Sequence, residues 1–194
     1  SLHDALPIYT GDVLAMVSYP GYDNNKMANT VDAEYYAQLN ADKSSPQLNF
    51  ATQYKAAPGS TFKIVSATAG LMENVINLQT RVNCVGTFTE ITPSPRCWRI
   101  SGHGYENVTS AIKDSCNYFF YEMGYRLSGL SGTVVKHEKG LKKLEKYADK
   151  YGLTDLSGVE LSEAQPHVSD SDAVRSAIGQ GTNSFTPIQL SRYV

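Results

Sequence analysis

The chain has 194 residues, a formal net charge of −2, 41% hydrophobic residues and 19% charged residues. That composition belongs to an ordinary globular protein with material for one core, or one and a half. The near-neutral balance leaves no basic footprint for nucleic acid, and no run approaches the ~18 apolar residues of a membrane-spanning helix.

No secretory leader pattern is visible in residues 1–8, which carry no clear period. A Gly11-Asp12 turn and an apolar run to Tyr19-Pro20 predict a buried strand. Residues 21–47 are polar and mostly loop, with room for a short helix over Val31–Leu39. The Pro58-Gly59 breaker opens a helix running to Met72. Its apolar residues cover nearly the whole circumference, which predicts a buried helix. Residues 75–102 read as turns and short strands without helix. Short helices are predicted over 106–113 and 118–124, the second strongly aromatic. Leu141, Leu144, Ala148 and Tyr151 mark an amphipathic helix over 140–152, stopped by Gly152. Ser157–Leu161 reads as a short strand. Thr186-Pro187 caps a last helix that reaches Val194 without a stop signal, so the chain is expected to be a piece of a longer protein.

The chemistry gathers in two places. Ser60 lies in the first turn of the predicted central helix, and Lys63 follows three residues later. Positions i and i+3 share a helix face, so hydroxyl and amine can meet. An amine near a helix N-terminus in an apolar core is a candidate for a lowered pKa, hence a base, and the serine a nucleophile. The plainer reading is a capping serine beside a snorkelling lysine. The second place is Ser115-Cys116-Asn117, between two apolar helical stretches. Alternation puts Ser115 and Asn117 on one side and Cys116 on the other. A hydroxyl and an amide facing one way suit proton transfer and the holding of a substrate amide. A helix-breaking turn with satisfied side chains is the alternative.

A Ser-x-x-Lys followed by a Ser-x-Asn triplet belongs to the active-site set of serine β-lactamases and penicillin-binding proteins. The chain resembles the transpeptidase domain of class B penicillin-binding proteins, in the elongation-type, penicillin-binding protein 2-like subgroup. The resemblance runs from Thr10 to Val194. It rests on the Gly11–Met16 run, Pro58–Lys63, Gly102-His103-Gly104, Ser115–Tyr121, Ser157–Leu161, Ile178–Gly181 and Thr186–Leu190. It implies an α/β (α+β) fold of the serine β-lactamase/transpeptidase type, an antiparallel sheet flanked by helices, incomplete at the C-terminus. Residues 9–194 would be the N-terminal portion of the transpeptidase domain, with 1–8 unassigned. Ser60 would be the acylated nucleophile, Lys63 its base, Ser115 the relay to the leaving amine and Asn117 the group that holds the substrate amide. The reaction implied is peptidoglycan D,D-transpeptidation, without a catalytic cofactor. The implied partners are stem peptides, β-lactams and a membrane-bound glycan polymerase. The implied location is the extracytoplasmic face of the bacterial membrane. The family's Lys-Thr-Gly strand is absent from the chain. The piece alone is therefore expected to be inactive and marginally stable. A β-lactamase or β-lactam sensor, and a non-catalytic scaffold that keeps the fold, are the competing readings.

Cys84, Cys97 and Cys116 are an odd set for an exported protein. One reading is a Cys84–Cys97 disulfide with Cys116 free, and another is unrelated buried thiols. With His103 they make a Cys₃His set, a tetrahedral zinc composition, at wide spacings of twelve, five and twelve residues. Some elongation-type relatives resemble this, with a structural zinc near the Ser-x-Asn loop. There Cys84 and Cys97 would stand in place of aspartates, and the metal would hold Ser115 and Asn117. His3, His137 and His167 read as isolated surface residues. Gly179-Gln180-Gly181 lacks the lysine and strand of a phosphate loop.

Overall fold

The computed structural model describes residues 3–5, 10–131 and 134–194, in two structural units. Residues 1–2 and 6–8 of the stretch left unassigned, and residue 9 where the domain was expected to begin, lie outside the described residues.

The first unit comprises residues 1–55, 156–166 and 185–194. Strand β1 (His3–Ala5) pairs antiparallel with β2 (Ala15–Val17), Asp4 opposite Met16. The expected buried strand is thus only three residues long, and Leu14 and Val17 are exposed. Each strand of a two-stranded ribbon is an edge, and that run stays partly open to solvent. Helix α1 (Ala33–Ala41) starts at Asp32, whose carboxylate takes the N–H groups of Glu34 and Tyr35. Helix α2 (Phe50–Gln53) was not foreseen, and Asn49 caps it.

No strand forms over residues 157–161. The Glu163 carboxylate takes both the N–H and the hydroxyl of Ser157, and so bends the segment into a loop. Helix α8 (Pro187–Tyr193) begins with a capping box between Thr186 and Gln189. The Gln189 amide also donates to Glu163, at 2.6 Å, and to the Ala164 carbonyl.

The second unit comprises residues 56–155 and 167–184. Residues Gly59–Phe62 form a 3₁₀ turn that leads into α3 (Lys63–Met72). Ser60 therefore sits in a tight turn before the α-helix rather than in its first turn. Phe62, Val65 and Ala69 are fully buried, but Ile64 and Met72 are exposed, so α3 keeps one open edge.

Strands β3 (Val82–Cys84) and β4 (Gly104–Glu106) pair antiparallel and bound the predicted helix-free stretch. Helix α4 (Val108–Lys113) is capped by Asn107, and α5 (Asn117–Ser128) follows after a three-residue break. Strands β5 (Leu130–Ser131) and β6 (Val134–Val135) form a third ribbon. Helix α6 (His137–Lys150) carries the predicted apolar stripe and starts three residues early.

Helix α5 is the centre of this unit and packs on α3, α6 and the short α7 (Ala173–Ser176). It runs four residues past Gly124, where the sequence suggested a stop. A Cβ at Gly124 would stand 2.5 Å from the Ala173 carbonyl, so the glycine serves the close approach of α7. Phe88 plugs the residue 82–106 excursion onto α5, edge-on to Tyr118 and Tyr125.

Candidate active site

Lys63 opens α3 with its side chain 2% exposed. Its ammonium donates to the Ser115 carbonyl at 2.8 Å, the Ser115 hydroxyl at 2.9 Å and the Asn117 side-chain oxygen at 2.7 Å. Burial lowers its pKa to about 8, against the opposing pull of the Cys116 and Cys97 thiols. The Ser115 hydroxyl donates to the Ser60 hydroxyl at 2.8 Å. Ser60, Lys63, Ser115 and Asn117 therefore meet, as the sequence suggests.

One detail differs. The Lys63 N–H donates to the Ser60 carbonyl, but among the described residues no hydrogen bond joins the Ser60 hydroxyl to the Lys63 ammonium, and Ser115 stands between them. Ser115 reaches this place with φ of 50°, in the left-handed region. Gly59, at φ 58°, donates its N–H to the Gly179 carbonyl at 3.0 Å. A Cβ on Gly179 would stand 2.0 Å from the Gly59 carbonyl. The Gly-Gln-Gly turn thus supports the backbone beside Ser60, a role its sequence did not announce.

Alternation in the triplet holds. Cys116 faces away from Lys63 and joins Cys84, Cys97 and His103, all four donor atoms lying within 4.8 Å of one another. All three thiols are free and buried, which overturns the disulfide reading. His103 Nδ1 is 3.6 Å from the sulfurs of both Cys84 and Cys97. Zinc bonds of about 2.3 Å to sulfur and 2.1 Å to nitrogen, at a tetrahedral angle, separate the two donors by about 3.6 Å. The donor set therefore fits zinc in kind and in spacing. Burial pushes the Cys97 thiol up, but the Tyr118, Arg99 and Asn117 N–H groups and the Cys84 thiol outweigh it and leave the pKa lowered. Burial drives Cys116 well above the ordinary thiol range. His103 Nε2 is buried without a hydrogen-bond partner among the described residues.

His137 is not the isolated surface residue expected: its Nδ1 accepts the Ala173 N–H at 3.1 Å. His167 is half-buried and lies 3.8 Å from Asp170.

A model of the penicillin binding protein transpeptidase domain matches residues 6–194. The chain belongs to this family. It is 30% identical over 201 residues to the peptidoglycan D,D-transpeptidase MrdA of Escherichia coli K12, covering 94% of this chain and 30% of that protein. The chain thus spans about a third of that relative's length. Among solved structures, it matches Pseudomonas aeruginosa PBP2 in complex with WCK 5153 at a TM-score of 0.84 and 28% identity, covering 98% of this chain and 44% of that one. The complex of PBP2 and MreC from Helicobacter pylori matches at a TM-score of 0.82 and 26% identity, covering 92% and 34%. The α/β fold of penicillin-binding transpeptidase domains, mixed helices with antiparallel strands, is that of this chain.

Proposed function

We propose that this chain carries the serine half of a peptidoglycan D,D-transpeptidase. The single observation behind this is the Lys63–Ser115–Ser60 hydrogen-bond line, with Asn117 sharing the Lys63 ammonium. A neutral Lys63 takes the proton of the Ser115 hydroxyl as Ser115 takes that of Ser60. The freed Ser60 oxygen attacks the carbonyl of a D-Ala-D-Ala stem peptide and forms an acyl-enzyme. The proton then returns through Ser115 to the leaving amine. An amine from a neighbouring strand releases the acyl group and closes the cross-link. The Ser60 N–H supplies one oxyanion donor. Asn117 holds the substrate amide, and a β-lactam acylates the same serine.

Names of the relatives support synthase chemistry over hydrolysis, since MrdA is called a D,D-transpeptidase. The solved complex of PBP2 with MreC from Helicobacter pylori supports a protein partner of that kind. An extracytoplasmic location at the bacterial membrane, beside a membrane-bound glycan polymerase, completes the proposal. The test is labelling of the intact protein with a fluorescent penicillin. A stable one-to-one adduct that Ser60→Ala abolishes is expected. Rapid release of the label would mean a β-lactamase, and no label would mean a scaffold.

We further propose that Cys84, Cys97, His103 and Cys116 hold a structural zinc. The metal would bind the excursion to the loop that carries Ser115 and Asn117, and its chemistry is charge compensation for the thiolates rather than catalysis. Metal analysis of the purified protein is expected to find one zinc per chain.

A further inference from the structure

We infer that Trp98 is the positioning residue for Ser115, acting through its indole N–H on the Ser115 carbonyl. Trp98 is the chain's one tryptophan, and it is 62% exposed. Burial of the ring therefore gives the molecule little reason to keep it there. Its Nε1 donates to the Ser115 carbonyl at 3.1 Å and to the Asp114 carbonyl at 3.2 Å. The Ser115 carbonyl is also the acceptor of the Lys63 ammonium at 2.8 Å. That oxygen thus takes one donor from the base and one from the excursion.

The residue so held is the one that needs holding. Ser115 sits at φ 50°, a conformation a serine keeps only when its surroundings impose it. A small relaxation about that bond would swing its hydroxyl off Ser60. The ring is anchored independently of the active site. It stands edge-on to His103 with centroids 5.1 Å apart, and the preceding Cys97 is buried and donates its N–H to the Gly86 carbonyl at 2.7 Å. Trp98 therefore fixes the Ser115 peptide to the Cys₃His excursion from the outside, as Lys63 fixes it from the inside.

The inference rests on Ser60 being the acylated residue. Its test is single-turnover acylation of the intact protein over a range of fluorescent penicillin concentrations. This separates the saturating rate from the half-saturating concentration. Trp98→Phe keeps a ring against His103 and removes the donor. It is expected to lower the saturating rate roughly tenfold, the size of one neutral hydrogen bond. The half-saturating concentration and the melting temperature should not change. Trp98→Gln returns an N–H donor and is expected to recover part of the rate. An undiminished rate in Trp98→Phe overturns the inference. A loss of rate in Gln as large as that in Phe or larger also overturns it, since the returned donor would then count for nothing. An unlabelled wild type removes the Ser60 reading, and the inference with it, so the two failures are told apart.

Discussion

Lys63 is surrounded by three acceptors yet taken out of water, and the second effect prevails. Its ordinary pKa of 10.5 falls to about 8. A base must be neutral to act, so acylation rises with pH through about 8 and levels off above it. Two units lower, about 1% of Lys63 is neutral, and the acylation rate should fall about a hundredfold. A rate profile flat between pH 6 and 9 would remove Lys63 from the base role. Ser115→Ala breaks the line between Lys63 and Ser60 while leaving Ser60 in place. A loss of roughly 10²- to 10⁴-fold in acylation rate is expected, with binding little changed.

The serine–lysine pair was legible in the sequence, because a three-residue spacing is a local fact. That Ser115 stands between the two was not, since it arrives from 52 residues away. Trp98 carried only a weak sequence signal, its place beside Cys97.

At the scale of elements, α5 does most of the organising. Its first residue is Asn117, its N-terminal N–H groups bear on the Cys97 thiol, and its aromatic body receives Phe88. Phe88 is fully buried against Tyr118, Tyr121 and Tyr125. Phe88→Ala is expected to destabilise the domain by about 3–5 kcal/mol. Urea unfolding measures it, and a loss under about 1 kcal/mol would mean that the excursion hangs on its cysteines alone. Gly124→Ala puts a methyl on the Ala173 carbonyl and should cost about 1–3 kcal/mol by the same measurement.

Periodicity revealed α6 because its apolar stripe is long. It overlooked α7, whose four residues hold no full period and whose start is set by the Asp172 cap. It misjudged residues 157–161 because a carboxylate six residues further on decides their path. It cut α5 short at Gly124 because a glycine used for packing looks, in sequence, like a glycine used for stopping.

For the molecule as a whole, the Cys₃His group draws together stretches of the second unit that span residues 84 to 116. Under the proposed zinc site, a chelator that strips the metal is expected to lower the melting temperature and slow acylation in step. Three titratable thiols are expected after denaturation in chelator, and fewer would restore the disulfide reading. The family, the fold class and the meeting of Ser60, Lys63, Ser115 and Asn117 were legible because ordered landmarks recur along the chain. The geometry between those landmarks was not, because it depends on groups that meet from far apart in the chain, as Ser115 meets Lys63 and Gly179 meets Gly59.

The alternation of Ser115, Cys116 and Asn117 has one more consequence. In the proposed reading, three consecutive residues serve two chemistries on opposite sides of one backbone, so parity rather than identity assigns each to its side. Deleting one residue just before Ser115 would put the Cys116 thiol in the place of the Ser115 hydroxyl and the Asn117 amide among the cysteines, and inserting one would put the Ser115 hydroxyl among the cysteines and the thiol in the place of Asn117. Both sites would fail in one event, although no residue type had been lost. Change at this loop is therefore confined to substitutions, and a shift of frame by one residue is the error it cannot absorb.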